Sequence, residues 1–397
     1  MKVNRNFYFL LAGQSLANIG DVLYVVSIIH TIFILTGSAA AASFVPFTVT
    51  SSMFIAGLLT PLLIDKVNLK WLLAGSQIGK TILLVLLGFM MIGMNASNVY
   101  WMFLMISLIA FLDGCANPIR QTLIPHYVEW DQLIRANGMT ETATQFIQAS
   151  MWFAGSFLLL LMGASQLIWL VGGLFTLASI LLCFMESISH EAAVPKGRWE
   201  QIKEGWVTLS RTPVLKRIAW MDGLETMAGT VWIAAILYVF VSDALHTNET
   251  WWGFINSAFL TGMILGSLYC MRFSTRIENR LGAFILTGSI VSCLVTLVFS
   301  VNPYPAAALI LSFCLGIFGQ LKNIPQQTII QSSVPKEQLS TVYTSLGAIG
   351  TGIFGIGSLI VGILADLLGI RAVFMISGLL LAGVSVIVYK NRQLFER

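Results

Sequence analysis

Long apolar runs recur along the whole chain, separated by short polar breaks. Each run is about 20 residues, the length that lets a helix cross roughly 30 Å of hydrocarbon, whereas barrel strands need only about 10 residues. Hydrophobic residues make up 57% of the 397 positions and charged residues only 10%, which is too little charge for an ordinary soluble domain. The sequence therefore predicts an all-α polytopic membrane protein.

We interpret twelve of these runs as transmembrane spans. The first run follows a basic start, as in a signal peptide, but it continues past Asp21 to Leu35 without a small-residue cleavage site, so we predict a true span there. The predicted spans are 8–33, 40–64, 71–93, 99–120, 138–162, 166–187, 214–242, 251–272, 281–301, 304–326, 341–364 and 370–389.

The basic residues are distributed unequally between the two sides of these spans. Of the 22 Lys and Arg residues, 18 fall in segments on the side of the N-terminus, and only Arg371 falls in a loop on the other side. Because Lys and Arg collect on the cytoplasmic side, we predict a multi-pass protein of the cell membrane with both termini in the cytoplasm.

A segment at the end of span four returns 206 positions later. The stretch NPIRQTLIPHYVEWDQLIRANG (Asn117–Gly138) is echoed by NIPQQTIIQSSVPKEQLSTV (Asn323–Val342). Since the offset is about half the chain, we infer a duplication into two pseudo-symmetric six-helix halves. In this interpretation each copy forms a helix end and an inner loop, which in the first copy runs from Pro125 to Asn137.

The duplication predicts an N-terminal six-helix bundle at 1–187 and a C-terminal one at 214–397, joined by a cytoplasmic linker at 188–213. The apolar residues of the linker recur at helical spacing, at Trp199, Ile202, Trp206 and Leu209. This pattern predicts an amphipathic helix on the inner membrane surface, with a docking site for a cytoplasmic partner as the alternative.

Eight ionisable residues lie within the predicted spans away from the cytoplasmic rims, or only partly toward them, and each costs several kcal/mol against lipid unless it faces a cavity, a partner or water. Six of them lie on spans one, four, seven and ten. The eight are Asp21, Lys80, Asp113, Arg120, Glu141, Asp222, Glu225 and Lys322.

Polar residues extend these charges into continuous helix faces. Spans one and four each carry three polar residues at i, i+4 and i+7, and spans seven and ten carry pairs at i, i+3. We therefore predict that the four helices surround one polar cavity for substrate, lined by Gln14, Asn18, Asp113, Asn117, Arg120, Gln320, Lys322 and Asn323. Proton or cation coupling is assigned to Asp21, Asp222, Glu225 and Glu141.

Structural explanations stand beside these assignments. Arg120 and Lys322 lie near helix ends, where long basic side chains can snorkel to the interface. Asp113 with Arg120 could form a purely structural ion pair, and Glu141 could simply stabilise a helix N-terminus.

Enzyme chemistry has no support in the sequence. A relaxed phosphate-loop pattern at Ala74–Thr81 lies inside an apolar helical run, where the loop that phosphate binding needs cannot form, so we assign Lys80 to a polar contact on span three instead. The five cysteines lie in apolar runs without metal-ligand spacing. We expect no cofactor, no metal, no nucleic-acid partner and no enzymatic activity.

Twelve spans, a half-length repeat and charged cavity helices together resemble the Major Facilitator Superfamily. Span one and the stretch from Pro118 resemble its branch of macrolide-efflux and siderophore-exporter-like proton antiporters, whose pattern P-x-R-x-x-x-x-P and then L-x-x-A-N follows span four. The matching residues are Pro118, Arg120, Pro125, Leu133, Ala136 and Asn137.

The loop between spans two and three resembles the conformational latch of that superfamily. Asp65, Lys66 and Lys70 keep the charged positions of its motif, whereas Asn68 replaces a glycine. A second copy of the spacing, Gly362, Asp366, Gly369 and Arg371, falls on the outer side in the predicted topology, where the sequence assigns it no role.

The resemblance implies a monomeric secondary transporter that exports amphipathic drug-like or natural-product molecules in exchange for protons, by rocker-switch alternating access. Its partners would be the substrate, protons and membrane lipids. Two alternatives remain: a lipid or lysophospholipid translocase on the same fold, and a transport-inactive membrane sensor or scaffold, for which we would expect a large soluble appendage.

Overall fold

The computed structural model describes residues 4–64, 66–95, 98–188, 198–232, 234–248 and 250–396. Within these ranges the regular secondary structure is all helical, with short turns and loops between the helices, and no strand occurs. The longer helices are Arg5–Thr36, Ala39–Leu59, Leu69–Ile92, Tyr100–Tyr127, Leu133–Cys183, Arg198–Arg211, Pro213–Gly229, Ala234–Val239, Thr250–Arg272, Leu281–Val301, Pro305–Ser333, Lys336–Leu368 and Ile370–Lys390. Short helices lie at Pro61–Ile64, Ser274–Glu278 and Arg392–Phe395.

Each of the twelve predicted spans coincides with a helical stretch. Among the described residues, nine helices are long and apolar enough to cross a membrane, or ten if the bent pair in span seven is one span. Span two contributes only a shorter apolar helix, Phe44–Leu59. The predicted all-α polytopic class is confirmed.

Two spans are interrupted. The Leu133–Cys183 helix holds spans five and six, and Gly163 separates them with φ 78° and ψ 164°, a backbone conformation that favours glycine. Span seven begins as Pro213–Gly229, passes through a 3-10 turn at Thr230–Trp232 and ends in a π-helix at Phe240–Ala244.

The predicted inner loop from Pro125 to Asn137 is wrong. Span four stays helical to Tyr127, and span five begins at Leu133 after a 3-10 turn at Trp130–Gln132. Burial explains the extension, since Leu123 and Leu133 are both fully buried and stabilise helix beyond the apolar run. In the second copy only Val334 and Pro335 separate two helices, because a residue before proline is driven to extended backbone.

By internal contacts the described chain forms two units. The first contact unit comprises 1–128, 147–206 and 336–348, and the second comprises 129–146, 207–335 and 349–397. Each unit thus takes one short segment from the opposite half of the sequence. The predicted domain boundaries at 188 and 214 stay a prediction.

Each contact unit has its own apolar core. In the first unit the core centres on Phe175, Ile28 and Leu84, all fully buried. In the second unit, Phe240, Phe299 and Phe374 have ring centroids 4.7 to 5.2 Å apart. These cores hold the helices that carry the charged clusters described below.

The linker contains the predicted helix, at Arg198–Arg211. Leu209 is buried, whereas Trp199 is 74% exposed. Gly205 lies so close to Thr341 and Ser345 that a Cβ atom at this position would overlap the Thr341 carbonyl. A glycine is therefore required where the linker helix contacts the start of span eleven.

Candidate functional site

A buried lysine joins three spans in the first contact unit. Lys80 Nζ on span three lies 2.8 Å from Asp21 Oδ1 on span one and 2.7 Å from Asp113 Oδ1 on span four. The lysine side chain is 1% exposed, and the two aspartates are about one-third exposed. We call these three residues the Lys80 cluster.

Phe175 and Arg120 are neighbours of the Lys80 cluster. The Phe175 ring lies 5.0 Å from Lys80 Nζ, and it fills the space beside Gly20 that a Cβ atom would need. The charge of Arg120 also acts on Asp21. Two acids and two bases therefore leave this site nearly neutral.

The other predicted cavity residues of the first unit do not belong to the Lys80 cluster. Gln14 donates a 2.9 Å hydrogen bond to Asn18, as their shared helix face predicts. Asn117 is half-buried on span four and makes no side-chain hydrogen bond to another described residue. Asp113 pairs with Lys80, and the alternative that it also pairs with Arg120 stays a prediction.

A second charged cluster lies in the second contact unit, between spans seven and ten. Lys322 Nζ bonds Glu225 Oε2, and Gln326 Nε2 donates a 2.5 Å hydrogen bond to Asp222 Oδ1. We call these four residues the Lys322 cluster. The Lys322 side chain is only 11% exposed, so the alternative that it snorkels to the interface is wrong.

The Lys322 cluster keeps unused acceptors. Glu225 Oε1, Gln326 Oε1 and Gln320 Oε1 are buried, and none has a hydrogen-bond partner within the described part of the chain. Its two carboxylates face one lysine, so the site carries excess negative charge. Such a site suits a proton or a cationic group, since an unpaired buried acceptor is costly.

Glu141 contacts span ten, the helix that carries Lys322 and Gln326. Its carboxylate oxygens are 3.5 Å from the side-chain amide nitrogens of Gln320 and Gln327. The helix begins at Leu133, more than two turns earlier, so the alternative that Glu141 stabilises a helix N-terminus is wrong. Asn323 is half-buried and has no side-chain hydrogen bond to another described residue.

The predicted latch is described only in part, because Asp65 lies outside the described residues. Lys66 is exposed, and Lys70 is buried with its Nζ 4.7 Å from the Trp71 ring centre. Asn68 caps the span-three helix by accepting from Lys70 N, and it also donates to the Ile188 carbonyl. The latch role stays a prediction.

The second copy of the motif now has a structural role. Arg371 donates hydrogen bonds to the carbonyls of Ala244 (2.9 Å), Ser300 (3.0 Å) and Asn302 (3.2 Å). These carbonyls end spans seven and nine, whose last carbonyls lack helical partners. Arg371 therefore ties three spans together, whereas Asp366 is exposed.

Sequence reasoning missed a clamp at the end of span six. Asn6 Nδ2 donates to Glu186 Oε2, and Glu186 N donates back to Asn6 Oδ1, both at 3.0 Å. Tyr127 Oη also donates to the Glu186 carbonyl at 2.8 Å. Asn6 and Tyr127 lie outside the predicted spans and Glu186 lies at the rim of span six, so a search for charges away from the span ends passes over them. No group of metal-ligating side chains occurs among the described residues.

Solved structures of transporters share the architecture that holds these clusters. The human organic anion transporter MFSD10 (TETRAN) superposes with a TM-score of 0.79 at 10% identity, over 97% of this chain and 99% of the other. The Major Facilitator Superfamily transporter FucP, in the outward conformation, gives 0.78 at 13% identity, over 97% and 98%. The chain has the Major Facilitator Superfamily fold.

Sequence relatives agree with this fold. The family model described as Major Facilitator Superfamily matches residues 226–394. The uncharacterized MFS-type transporter YfmI of Bacillus subtilis (strain 168) is 28% identical over 386 residues, 96% of this chain and 94% of the relative. YjbB of the same organism, also an uncharacterized MFS-type transporter, is 26% identical over 372 residues, 94% and 92% of the two chains. The chain is thus similar in sequence to multi-pass transporters of this superfamily.

The Major Facilitator Superfamily fold gives the two clusters a common basis. Each six-helix half of this fold is a nested repeat of three helices. Asp21, Asp113 and Asp222 lie on the first helices of such triplets, and so does Lys322. Lys80 instead lies on span three, the third helix of its triplet. The basic residue of the cluster therefore lies on a different helix of the repeat in each half.

Proposed function

We propose that the chain is a secondary active transporter that exports amphipathic drug-like or natural-product molecules in exchange for protons. Multidrug efflux as a proton-coupled antiporter would proceed by rocker-switch alternating access. We further propose that it works as a monomer in the cell membrane, with both termini in the cytoplasm.

The observation that carries this proposal is the partner of Asp222. Its carboxylate accepts from a neutral amide, Gln326, rather than from a cation. Protonation of Asp21, Asp113 or Glu225 would discharge one member of an ion pair. Protonation of Asp222 removes one negative charge and leaves every ion pair in place, so Asp222 is suited to exchange a proton, as is Glu141, whose described partners are also amides.

The charges around Asp222 connect proton binding to a substrate. Glu225 and Lys322 bond each other one helical turn away, and Glu225 Oε1 is buried without a hydrogen-bond partner among the described residues. A cationic group that binds there competes with a proton for the same excess negative charge. Competition of this kind is the requirement for exchange of a substrate against protons.

The proposal is tested with purified protein in liposomes under an imposed pH gradient. Ethidium, a lipophilic cation, serves as the transported probe, and a pH-sensitive dye follows the protons. We expect the wild type to exchange ethidium for protons, and Asp222→Asn to lose the response to the gradient.

The matched control is Asp243→Asn, an exposed acid on the same span, which should transport as the wild type does. A fluorescent lysophospholipid in a parallel assay separates the lipid-translocase alternative, which needs no gradient. Gradient-driven ethidium flux that is unchanged in Asp222→Asn would contradict the assignment, and lysophospholipid movement without ethidium flux would overturn the proposed substrate class.

A further inference from the structure

A cavity lies between spans nine and ten, at the end that the predicted topology places in the cytoplasm. It encloses about 190 Å³ within the second contact unit. Its floor is apolar and its mouth is basic, with lining residues that include Arg276, Arg280, Ala283, Thr287, Phe318 and Leu321. None of these belongs to the Lys80 or Lys322 cluster.

The cavity opens on the face of span nine that meets lipid. Ala283, Thr287, Ile290 and Leu294 follow one another at steps of four, three and four residues, and all four are exposed. Residues at this spacing share one helix face. In a polytopic membrane protein an exposed apolar face of a span is in contact with acyl chains, so the occupant of this cavity comes from the bilayer.

The depth of the cavity matches the upper part of a phospholipid. Arg280 is the N-cap of the span-nine helix, and Thr287 follows seven residues later, so the cavity reaches about 10 Å along the helix. At its inner wall, spans nine and ten are in close contact, because Gly288 has no side chain to separate it from Lys322. The head group would lie at the arginines and an acyl chain against Phe318 and Leu321.

The charge at the mouth selects an anionic head group. The turn from Arg272 to Arg280 contains three arginines and one glutamate, Glu278. Arg276 and Arg280 are exposed, and neither forms an ion pair with a carboxylate that the structure describes. Guanidinium groups bind phosphate oxygens in pairs, and basic pockets between spans on the cytoplasmic side suit anionic lipids.

We propose that Arg276, Arg280 and the apolar cavity between spans nine and ten form a binding site for an anionic glycerophospholipid. The arginines bind its phosphate, and Ala283, Phe318 and Leu321 contact its acyl chain. Each arginine contributes about a fivefold preference for anionic over zwitterionic lipid, since a basic residue near a charged membrane is worth roughly 1 kcal/mol. This site acts from outside the transport pathway.

The test is native mass spectrometry of the full-length protein with defined lipids. Phosphatidylglycerol and phosphatidylcholine of the same acyl composition are titrated in turn, and the bound lipid is counted. We expect phosphatidylglycerol to be retained selectively, and Arg276→Gln/Arg280→Gln to lose roughly 25-fold of that selectivity. Arg272→Gln removes a neighbouring arginine that does not line the cavity, and should change selectivity little.

The acyl part is tested separately. Ala283→Trp fills the cavity and keeps both arginines in the sequence, and should abolish retention of phosphatidylglycerol, whereas Leu294→Trp on the same exposed face should not. Millimolar glycerol 3-phosphate, which carries the phosphate alone, should fail to displace the lipid. An equal loss of selectivity in Arg272→Gln, undiminished retention in Ala283→Trp, or displacement by glycerol 3-phosphate would each overturn the proposal.

Discussion

Asn137 and Gln331 hydrogen-bond each other in both directions. Asn137 Nδ2 donates to Gln331 Oε1 at 2.8 Å, and Gln331 Nε2 donates to Asn137 Oδ1 at 3.1 Å. The two side chains are 1% and 2% exposed. One residue comes from each copy of the repeated segment, so the duplication supplies both sides of a single buried contact.

Loss of either amide should be costly. Asn137→Leu or Gln331→Leu removes both hydrogen bonds between the two buried amides, which costs about 1–3 kcal/mol of the free energy of unfolding. The double variant removes both polar groups, so its loss should be smaller than the sum of the two single losses. Unfolding in mixed detergent micelles measures all three. Gln393→Leu, on an exposed residue, is the control, and strict additivity would contradict the direct pairing.

Lys80 should be the most sensitive residue of its cluster. Lys80→Met leaves two aspartates in the span region without their counter-ion, and breaking a buried ion pair by removing one partner costs about 3–5 kcal/mol. We expect Lys80→Met to aggregate or unfold at lower temperature, as measured by size-exclusion chromatography after heating.

Two further variants separate charge from packing. Lys80→Met combined with Asp21→Asn and Asp113→Asn removes all three charges and should recover much of the lost stability. Lys66→Met, at an exposed lysine, should leave the melting behaviour unchanged. If the triple variant is no more stable than Lys80→Met, the loss comes from packing instead.

Arg371 and Asp366 should differ in importance although they share one motif. Arg371→Lys keeps the charge but cannot reach three carbonyls in two helix ends, so we expect a loss of about 1–3 kcal/mol of the free energy of unfolding. Asp366→Asn changes an exposed side chain and should be silent. Thermal unfolding in detergent compares the two, and equal effects would argue for a latch in which both charges act.

Gly205 should resist even the smallest substitution. In Gly205→Ala the added Cβ overlaps the Thr341 carbonyl, and overpacking of this kind costs about 1–3 kcal/mol. Limited proteolysis of the linker should therefore become faster. Gly347→Ala, where a Cβ meets nothing within 4 Å, is the matched control. Equal proteolysis of Gly205→Ala and wild type would show that the linker helix does not depend on this contact.

The sequence predicted the spans well because hydrocarbon thickness fixes their length. It also placed Gln14, Asn18 and Asp21 on one face, since helical spacing is local information. The sequence did not predict which charged side chains form ion pairs with each other. Lys80 bonds residues 59 and 33 positions away, and that choice depends on how three helices pack.

The helix ends were harder to predict than the helix centres. The inner parts of spans four and ten carry Pro125 and Pro325, and both remain inside their helices. Proline weakens a helix locally, whereas burial of neighbouring residues stabilises it, and only the folded packing decides between the two. The contact of Asn137 with Gln331 depends on those extended ends and was missed for the same reason.

The exchange of short segments between the two contact units affects the order of synthesis. The first unit includes residues 336–348, so it cannot be complete until nearly nine-tenths of the chain has left the ribosome. Residues 129–146 are made early, yet their contacts lie in the unit made last. Domains usually fold one after another as they emerge. Here the first contact unit receives its last segment only after most of the second unit has been made.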